Sequence, residues 1–286
     1  MAQEKGSENS PLSLSFSGSG FLSLYQLGAV KALRELAPEI LQSAPRVYGA
    51  SAGSLVAAAV VFQTNLEDVA KVMLETAAEA RKTILGPFYP KFNPLKNLLR
   101  SLQQLVPDNA HQLATGRLHI AVTRLSDLKN IIISDFNSKE EVVQVLLCSC
   151  FVPYYCGLVP PSFRGVRYID GGCSNFHPFF SLKSILTVSP FTGEIDICPR
   201  DCPVSHFCIQ ISHASFQLSL ENFGRLIHAL FPPQTTILTQ YYCQGYKDAT
   251  CYLNQTDKMF KSPFKKTLKT TVRCRILKRH CVDILH

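Results

Sequence analysis

Two short apolar segments near the start of the chain each lead into a glycine-containing turn and then into a helical pattern. Leu12–Phe16 alternates like a strand and is followed by the turn Ser17–Gly20, after which Phe21–Leu36 has apolar residues at helical spacing. Arg46–Tyr48 predicts a second strand, which runs through Gly49–Gly53 into a helix rich in Ala and Val. This order predicts parallel strands joined by a right-handed crossover. We therefore expect an α/β fold, with a mostly parallel sheet and helices on both of its faces.

The rest of the chain continues this alternation of helices and strands. We predict helices at Leu66–Leu85, Pro94–Val106, Ser138–Cys150 and Ser215–Phe231, and strands at Leu118–Thr123, Asn130–Phe136, Val166–Ile169 and Ile185–Ser189. Ser138 and Glu141 have the spacing of a capping box at the start of their helix. Five leucines between Leu95 and Leu105 fall on one helix face, which favours core packing, with a lipid-facing lid as the alternative.

The net positive charge of the chain comes from its C-terminal segment. The net charge is +8, and residues 258–286 hold nine Lys or Arg and one acid, so the first 257 residues hold 20 basic and 20 acidic residues. A neutral core gives no reason to expect a nucleic-acid partner. We divide the chain into an α/β domain at 12–190, a helical extension packed on it at 191–256, and a poorly ordered basic tail at 257–286.

Two observations bear on the compartment. Met1–Ser10 is polar, so we expect no secretory signal, and no segment has the roughly 20 mainly apolar residues that a membrane span needs. The 11 cysteines form no recognised pattern, and we expect free thiols in the reducing cytoplasm. Cys198, Cys202, His206 and Cys208 could supply four ligands, but their spacing matches no usual zinc motif, so we expect no metal.

Gly49-x-Ser51-x-Gly53 lies between a predicted strand and a predicted helix, as a nucleophile elbow does. A serine on such a tight turn exposes its hydroxyl, while the flanking glycines let the strand and the helix approach each other. The helix that follows directs its free N–H groups and its positive end towards the reacting centre. Ser51 is therefore a candidate nucleophile, and a buried serine in an ordinary turn is the alternative.

Gly18-Ser19-Gly20 ends the first strand and allows three interpretations. A dinucleotide-binding loop would have a third glycine where Ser23 stands, so this interpretation is disfavoured. A plain tight turn is the second. The third is an oxyanion hole, because loops at the carboxyl ends of neighbouring parallel strands meet at one edge of the sheet. In that case the N–H groups of Gly18–Gly20 face the carbonyl group that Ser51 attacks.

A serine nucleophile also needs a base. Eight histidines follow Ser51, and the candidates among them include six that lie in no recognisable signature: His111, His119, His177, His206, His213 and His228. Asp170 is the other candidate. It ends a predicted strand, and Gly171 and Gly172 after it would permit a close approach to the serine turn.

Taken in order, Gly18-x-Gly20, Gly49-x-Ser51-x-Gly53 and Asp170-Gly171-Gly172 resemble the motifs of the patatin-like phospholipases. Further segments, including Phe151-Val152-Pro153, resemble the animal branch of that family that contains adipose triglyceride lipase. Cys148-Ser149-Cys150 is similar to the omega-hydroxyceramide transacylase of that branch. The resemblance covers about residues 12–253 and implies the three-layer patatin-like fold.

The resemblance implies a Ser–Asp dyad without histidine and without metal or cofactor. Ser51 would be the nucleophile, Asp170 the base, and Gly18, Ser19 and Gly20 the oxyanion donors. The implied activity is hydrolysis of neutral lipid esters such as triacylglycerol, or transfer of their acyl chain to an omega-hydroxyceramide. The implied setting is the cytoplasmic face of lipid droplets or of the endoplasmic reticulum, with an α/β-hydrolase-domain activator protein as partner. The alternatives are a poorly active lipid-binding regulator that sequesters the activator, and an adaptor that acts through the basic tail.

Overall fold

A computed structural model describes residues 11–82, 94–178, 184–201, 207–212 and 214–259. Its strands are β1 (Ser13–Phe16), β2 (Val47–Ala50), β3 (Leu118–Arg124), β4 (Asn130–Ile133), β5 (Ser162–Phe163), β6 (Val166–Asp170), β7 (Ile185–Val188), β8 (Cys208–Ile211) and β9 (Ala214–Gln217). Its α-helices are α1 (Ser23–Leu36), α2 (Pro38–Ser43), α3 (Ala52–Val61), α4 (Leu66–Ala80), α5 (Pro94–Leu105), α6 (Ala110–Ala114), α7 (Lys139–Ser149), α8 (Leu220–Leu230) and α9 (Thr235–Met259). Short 3₁₀ turns cover Gly20–Leu22 and Gly171–Cys173.

Four parallel strands form the centre of the sheet, in the order β3-β2-β1-β7. Every described residue of β2 and of β7 is buried, as expected for parallel strands covered by helices. Phe16 lies opposite Gly49, so the turns that follow β1 and β2 leave the sheet side by side. This confirms the predicted α/β fold and brings the two glycine turns to the same edge.

The strand that carries Asp170 arrives from the opposite direction. β2 ends with Ala50 opposite Ala121 of β3, and β6 runs antiparallel to β3 with Asp170 opposite Val122. Because β4 occupies the other side of β3 at these positions, β6 lies on the same side as β2. The carboxyl ends of β2 and β6 therefore meet almost end to end, which places Asp170 next to the turn that follows Ala50.

Residues 191–256 contain more than helices. β8 and β9 form an antiparallel hairpin, so the predicted helix at Ser215–Phe231 is wrong over its first residues and begins only at Leu220. Ser215 and Phe216 are both buried against neighbouring elements, and this packing outweighs the helical spacing of the sequence. Helix α9 packs on α1 in direct backbone contact, since a Cβ on Gly28 would lie 1.9 Å from the Tyr242 carbonyl oxygen.

Two local predictions need correction. Ser138 does cap α7 by accepting from the Glu141 N–H, but the Glu141 carboxylate accepts from the N–H of Asn137 rather than from that of Ser138. The expectation of free thiols is wrong at Cys243, which is disulfide-bonded, although Cys148, Cys150 and Cys156 are free.

None of the described helices is long and apolar enough to cross a bilayer. The basic tail beyond Met259 lies outside the described residues.

Candidate active site

Ser51 occupies the sharp turn between β2 and α3. Its backbone has φ +52° and ψ −134°, a conformation that a residue with a side chain rarely adopts. The flanking glycines make the turn possible, because a Cβ on Gly53 would lie 2.2 Å from the Ser17 carbonyl oxygen and one on Gly49 would lie 2.5 Å from the Gly53 carbonyl oxygen. The strain is typical of a nucleophile elbow.

The Asp170 carboxylate lies directly beside the serine hydroxyl. Ser51 Oγ donates to Asp170 Oδ2 at 2.5 Å, and Gly172 N–H donates to Asp170 Oδ1 at 2.7 Å. The main chain of Asp170 is held on both sides, because its N–H donates to the Phe151 carbonyl and its carbonyl accepts from Thr123 Oγ1. Asp170 therefore has little freedom to move away from Ser51.

Burial changes the acidity of Asp170. The residue is 5% exposed, and loss of solvation raises its pKa to about 6, although the hydrogen bonds from Ser51 and Gly172 favour the ionised form and partly oppose this. Asp170 remains largely ionised at neutral pH. It is also a stronger base than an ordinary aspartate, whose pKa is near ~4.

Ser149, at the end of α7, connects the nucleophile turn to β3. Its hydroxyl accepts from the Ser51 N–H at 2.9 Å and donates to the Ala121 carbonyl at 2.7 Å. Sequence analysis assigned no role to Ser149 and noted it only within a Cys-Ser-Cys segment. The signal available in the sequence was a serine on the otherwise apolar face of the predicted helix. The structure buries Ser149 fully.

The glycine turn after β1 differs in part from the prediction. Gly18 N–H donates to the Phe176 carbonyl oxygen at 2.8 Å, which contradicts its predicted role as an oxyanion donor. Ser19 and Gly20 line the same cavity as Ser51, and no described acceptor engages their N–H groups. Ala52, which begins α3, also lines that cavity, and its N–H is a further candidate donor that sequence analysis did not name.

Gln26 fixes the shape of this turn from inside the fold. The residue is fully buried on α1, and its side-chain amide donates to the Ser17 carbonyl at 3.0 Å. Its amide oxygen accepts from Ser19 Oγ at 3.0 Å. These bonds hold Ser19 in place, so Gln26 positions the turn without touching the dyad.

The dyad lies in the wall of an apolar cavity of about 440 Å³. The size falls in the usual range of small-molecule sites. The walls come mainly from apolar side chains of α3, α4, α5 and α8, among them Leu55, Met73, Leu98, Leu102 and Leu226. The leucine face of α5 thus lines the cavity and packs on the core, which confirms the core-packing prediction. The lipid-facing lid stays a prediction.

No described histidine lines this cavity. His119 packs at a tilt against Tyr48, His177 Nε2 donates to the Ser15 carbonyl, and His228 contacts the Tyr241 hydroxyl. His111 is on α6, away from the cavity, and His206 and His213 lie outside the described residues. In the described part of the chain, Asp170 is therefore the group placed to accept the serine proton.

The family model for patatin-like phospholipase matches residues 14–183 of the chain. The chain belongs to the patatin-like phospholipase family. The match includes both glycine turns, the Ser51 elbow and Asp170. It extends through β6 and the glycines that follow it.

Several curated proteins are similar to this patatin-like chain. The human omega-hydroxyceramide transacylase is 44% identical over 275 residues, covering 95% of this chain and 52% of the transacylase. The human patatin-like phospholipase domain-containing protein 2 is 46% identical over 242 residues, covering 85% and 48%. The human 1-acylglycerol-3-phosphate O-acyltransferase PNPLA3 is 44% identical over 243 residues, covering 85% and 50%. The chain spans about half the length of these relatives.

Proposed function

We propose that this protein transfers acyl groups from neutral lipid esters through a covalent intermediate on Ser51. The observation that carries the proposal is the 2.5 Å hydrogen bond from Ser51 Oγ to Asp170 Oδ2 in the wall of an apolar cavity. Membership of a family of lipid acyl hydrolases and acyltransferases supports the same class of reaction. The proposal assigns Ser51 as nucleophile and Asp170 as base.

In the first step, Asp170 Oδ2 accepts the hydroxyl proton while Ser51 Oγ attacks the ester carbonyl carbon. The tetrahedral intermediate places a negative charge on the former carbonyl oxygen, which the N–H groups of Ser19, Gly20 and Ala52 stabilise. Asp170 then protonates the departing alcohol oxygen, and the carbonyl reforms as an ester of Ser51. In the second step, Asp170 takes a proton from water or a lipid hydroxyl, which attacks this ester and releases Ser51.

The raised pKa of Asp170 suits both halves of this cycle. A base with a pKa of about 6 is ionised at neutral pH, yet it holds the transferred proton more readily than an ordinary aspartate. Oxyanion donors typically contribute about 10²–10³ in rate each, so they supply much of the remaining acceleration. The N-terminus of α3 adds its positive end at the same point.

We propose triacylglycerol and related neutral lipids as acyl donors, and water or an omega-hydroxyceramide as acceptors. The apolar cavity suits an acyl chain, and one relative is named as an omega-hydroxyceramide transacylase. The acting site is proposed to be the cytoplasmic surface of lipid droplets or of the endoplasmic reticulum, to be checked by imaging a fluorescent fusion. An activator protein with an α/β-hydrolase domain stays a prediction. The alternative of a poorly active regulator gains no support from relatives that are named as enzymes.

The test uses the full chain with triolein emulsions that carry a labelled acyl group, with and without omega-hydroxyceramide. The proposal predicts labelled fatty acid in the first case and labelled acylceramide in the second, with neither product from Ser51→Ala. A matched control is Ser162→Ala, which removes a hydroxyl from an exposed residue of β5. Equal product from Ser51→Ala and wild type would contradict the proposal.

A further inference from the structure

Helix α8 is oriented with its apolar residues towards solvent. Leu220 is 87% exposed and Phe223 is 61% exposed, and both lie on one side of the helix. The same side continues through the exposed residues Leu226, Ile227, Leu230 and Phe231. A surface helix of a globular protein normally buries such a stripe, because exposing it to water is unfavourable.

The side of α8 that faces the protein is polar and firmly held. Asn222 is 3% exposed, and its amide both accepts from the Thr192 N–H at 3.0 Å and donates to the Thr192 carbonyl at 2.9 Å. Arg225 forms an ion pair with Asp201, whose carboxylate also accepts from Ser219 Oγ at 2.6 Å. Rolling the helix over would break this buried network, so the outward direction of the apolar side is fixed by the fold.

The exposed face adjoins the opening of the catalytic cavity. Leu226 and Leu230 belong to the apolar side of α8 and also line the cavity that holds Ser51. Leu220 and Phe223 line a second apolar groove, which shares Leu226, Gly172 and Phe176 with the first. Tyr155, which also lines the catalytic cavity, donates to the Leu230 carbonyl, and the nearby residues Tyr154 and Leu158 are exposed. The apolar surface is therefore continuous from solvent to the dyad.

We propose that the outward face of α8, defined by Leu220, Phe223, Ile227 and Phe231, docks on the surface of a neutral lipid phase. This inference rests on the proposed function, because it identifies the route by which lipid substrate reaches Ser51. A lipid phase covers a wide apolar surface and supplies the substrate at the cavity mouth. A helix with an exposed apolar face and few charges inserts at the interface between lipid and water.

The charges on α8 favour a neutral surface over an anionic one. Arg225 is the helix's one guanidinium, and it is paired with Asp201 inside the fold. Glu221 is exposed near the start of the helix and carries a negative charge. Binding through this face therefore depends on apolar contact, and we expect little change with salt or with added anionic lipid.

The experiment measures binding without turnover. Full-length Ser51→Ala protein is mixed with phosphatidylcholine vesicles or with phosphatidylcholine-coated triolein emulsion, and the bound fraction is measured by flotation. Leu220→Ser with Phe223→Ser is expected to lower the partition coefficient at least about tenfold, since each buried Leu or Phe side chain favours the apolar phase by about that factor. The control is Leu128→Ser, which removes an exposed apolar residue outside both cavities.

A soluble short-chain ester separates the two proposals. With Ser51 restored, the double variant is expected to cleave this ester at the wild-type rate and to lose activity on emulsion. If the double variant floats with the lipid as fully as the Ser51→Ala protein does, the docking proposal is overturned, even if ester cleavage is normal. Self-association or binding of an added protein that depends on Leu220 and Phe223, without flotation, would overturn it as well. If the wild-type protein does not cleave the soluble ester, the proposed function is contradicted instead.

Discussion

The Ser149 hydroxyl accepts a hydrogen bond from the main-chain N–H of Ser51, with 2.9 Å between Oγ and N. The same hydroxyl donates to Ala121, which lies opposite Ala50 in the neighbouring strand. α7 is thereby joined to the nucleophile turn and to the strand beside it. The strained backbone of Ser51 is held in place by this bridge and by the dyad bond.

Ser149→Ala should reduce the turnover number more than the affinity for substrate. Without the hydroxyl, the Ser51 N–H and the Ala121 carbonyl lose their shared partner, and the nucleophile turn relaxes. We expect kcat to fall about 10–100-fold with little change in KM, because small displacements of a nucleophile are costly. The free energy of unfolding should fall by about 1–3 kcal/mol. Steady-state kinetics on a soluble ester and urea denaturation test both values.

The rate on a soluble ester should rise with pH through the pKa of Asp170. Only the ionised carboxylate accepts the Ser51 proton, and burial raises this pKa to about 6. We expect kcat/KM at pH 5 to be about one tenth of its plateau above pH 7. The measurement of kcat/KM against pH should use a soluble ester whose product gives the same signal at every pH. A plateau that continues unchanged down to pH 5 would contradict the assignment of Asp170 as base.

Asp170→Asn should stabilise the fold at neutral pH. The folded-state pKa of about 6 lies above the unfolded value, so the folded protein binds more protons between about pH 4 and pH 6. Stability contributed by this proton is present below the unfolded pKa and is lost as the pH rises through about 6. The neutral amide avoids this loss, so the variant should gain about 3 kcal/mol over wild type at pH 8. Thermal or urea unfolding at pH 4 and pH 8 should show the two proteins diverging only at the higher pH.

Gly53→Ala should disrupt the elbow, whereas Gly224→Ala should be tolerated. A Cβ on Gly53 would lie 2.2 Å from the Ser17 carbonyl oxygen and 2.7 Å from that of Phe16, and neither backbone group can move freely. We expect a loss of about 3 kcal/mol or more in the free energy of unfolding, together with loss of activity. Gly224 in α8 has open space around it, and alanine there favours the helix. Comparable unfolding curves for the two variants would contradict this account of the turn.

The first half of the fold could be predicted because local pattern and tertiary structure agree there. β1, β2 and the helices after them are short, strongly periodic and bounded by glycines, and the structure places them as expected. Ser215 and Phe216 were misassigned because their helical spacing is local, whereas their strand is defined by pairing with β8. Pairing between distant segments leaves a weak trace in a single sequence.

The two residues of the proposed dyad could be named from the sequence, but the contacts that support them could not. Ser51 and Asp170 stand out as candidates because glycine-flanked positions after strands are visible in the sequence, and the structure brings their side-chain oxygens within 2.5 Å. The direction of β6 was not visible, since an antiparallel strand has the same composition as a parallel one of this length. The engagement of the Gly18 N–H by Phe176 depends on a contact between residues 158 positions apart, which no local motif encodes.

Labelling with a fluorophosphonate ester probe tests the central claim most directly, because the probe reacts covalently only with an activated serine. Wild type, Ser51→Ala and Asp170→Asn are compared at pH 7.5, with circular dichroism to show that each is folded. We expect rapid labelling of wild type at Ser51, none of Ser51→Ala, and labelling of Asp170→Asn at least about 100-fold slower. A folded wild-type protein that is not labelled, or an Asp170→Asn variant labelled as fast as wild type, would contradict the Ser51–Asp170 dyad.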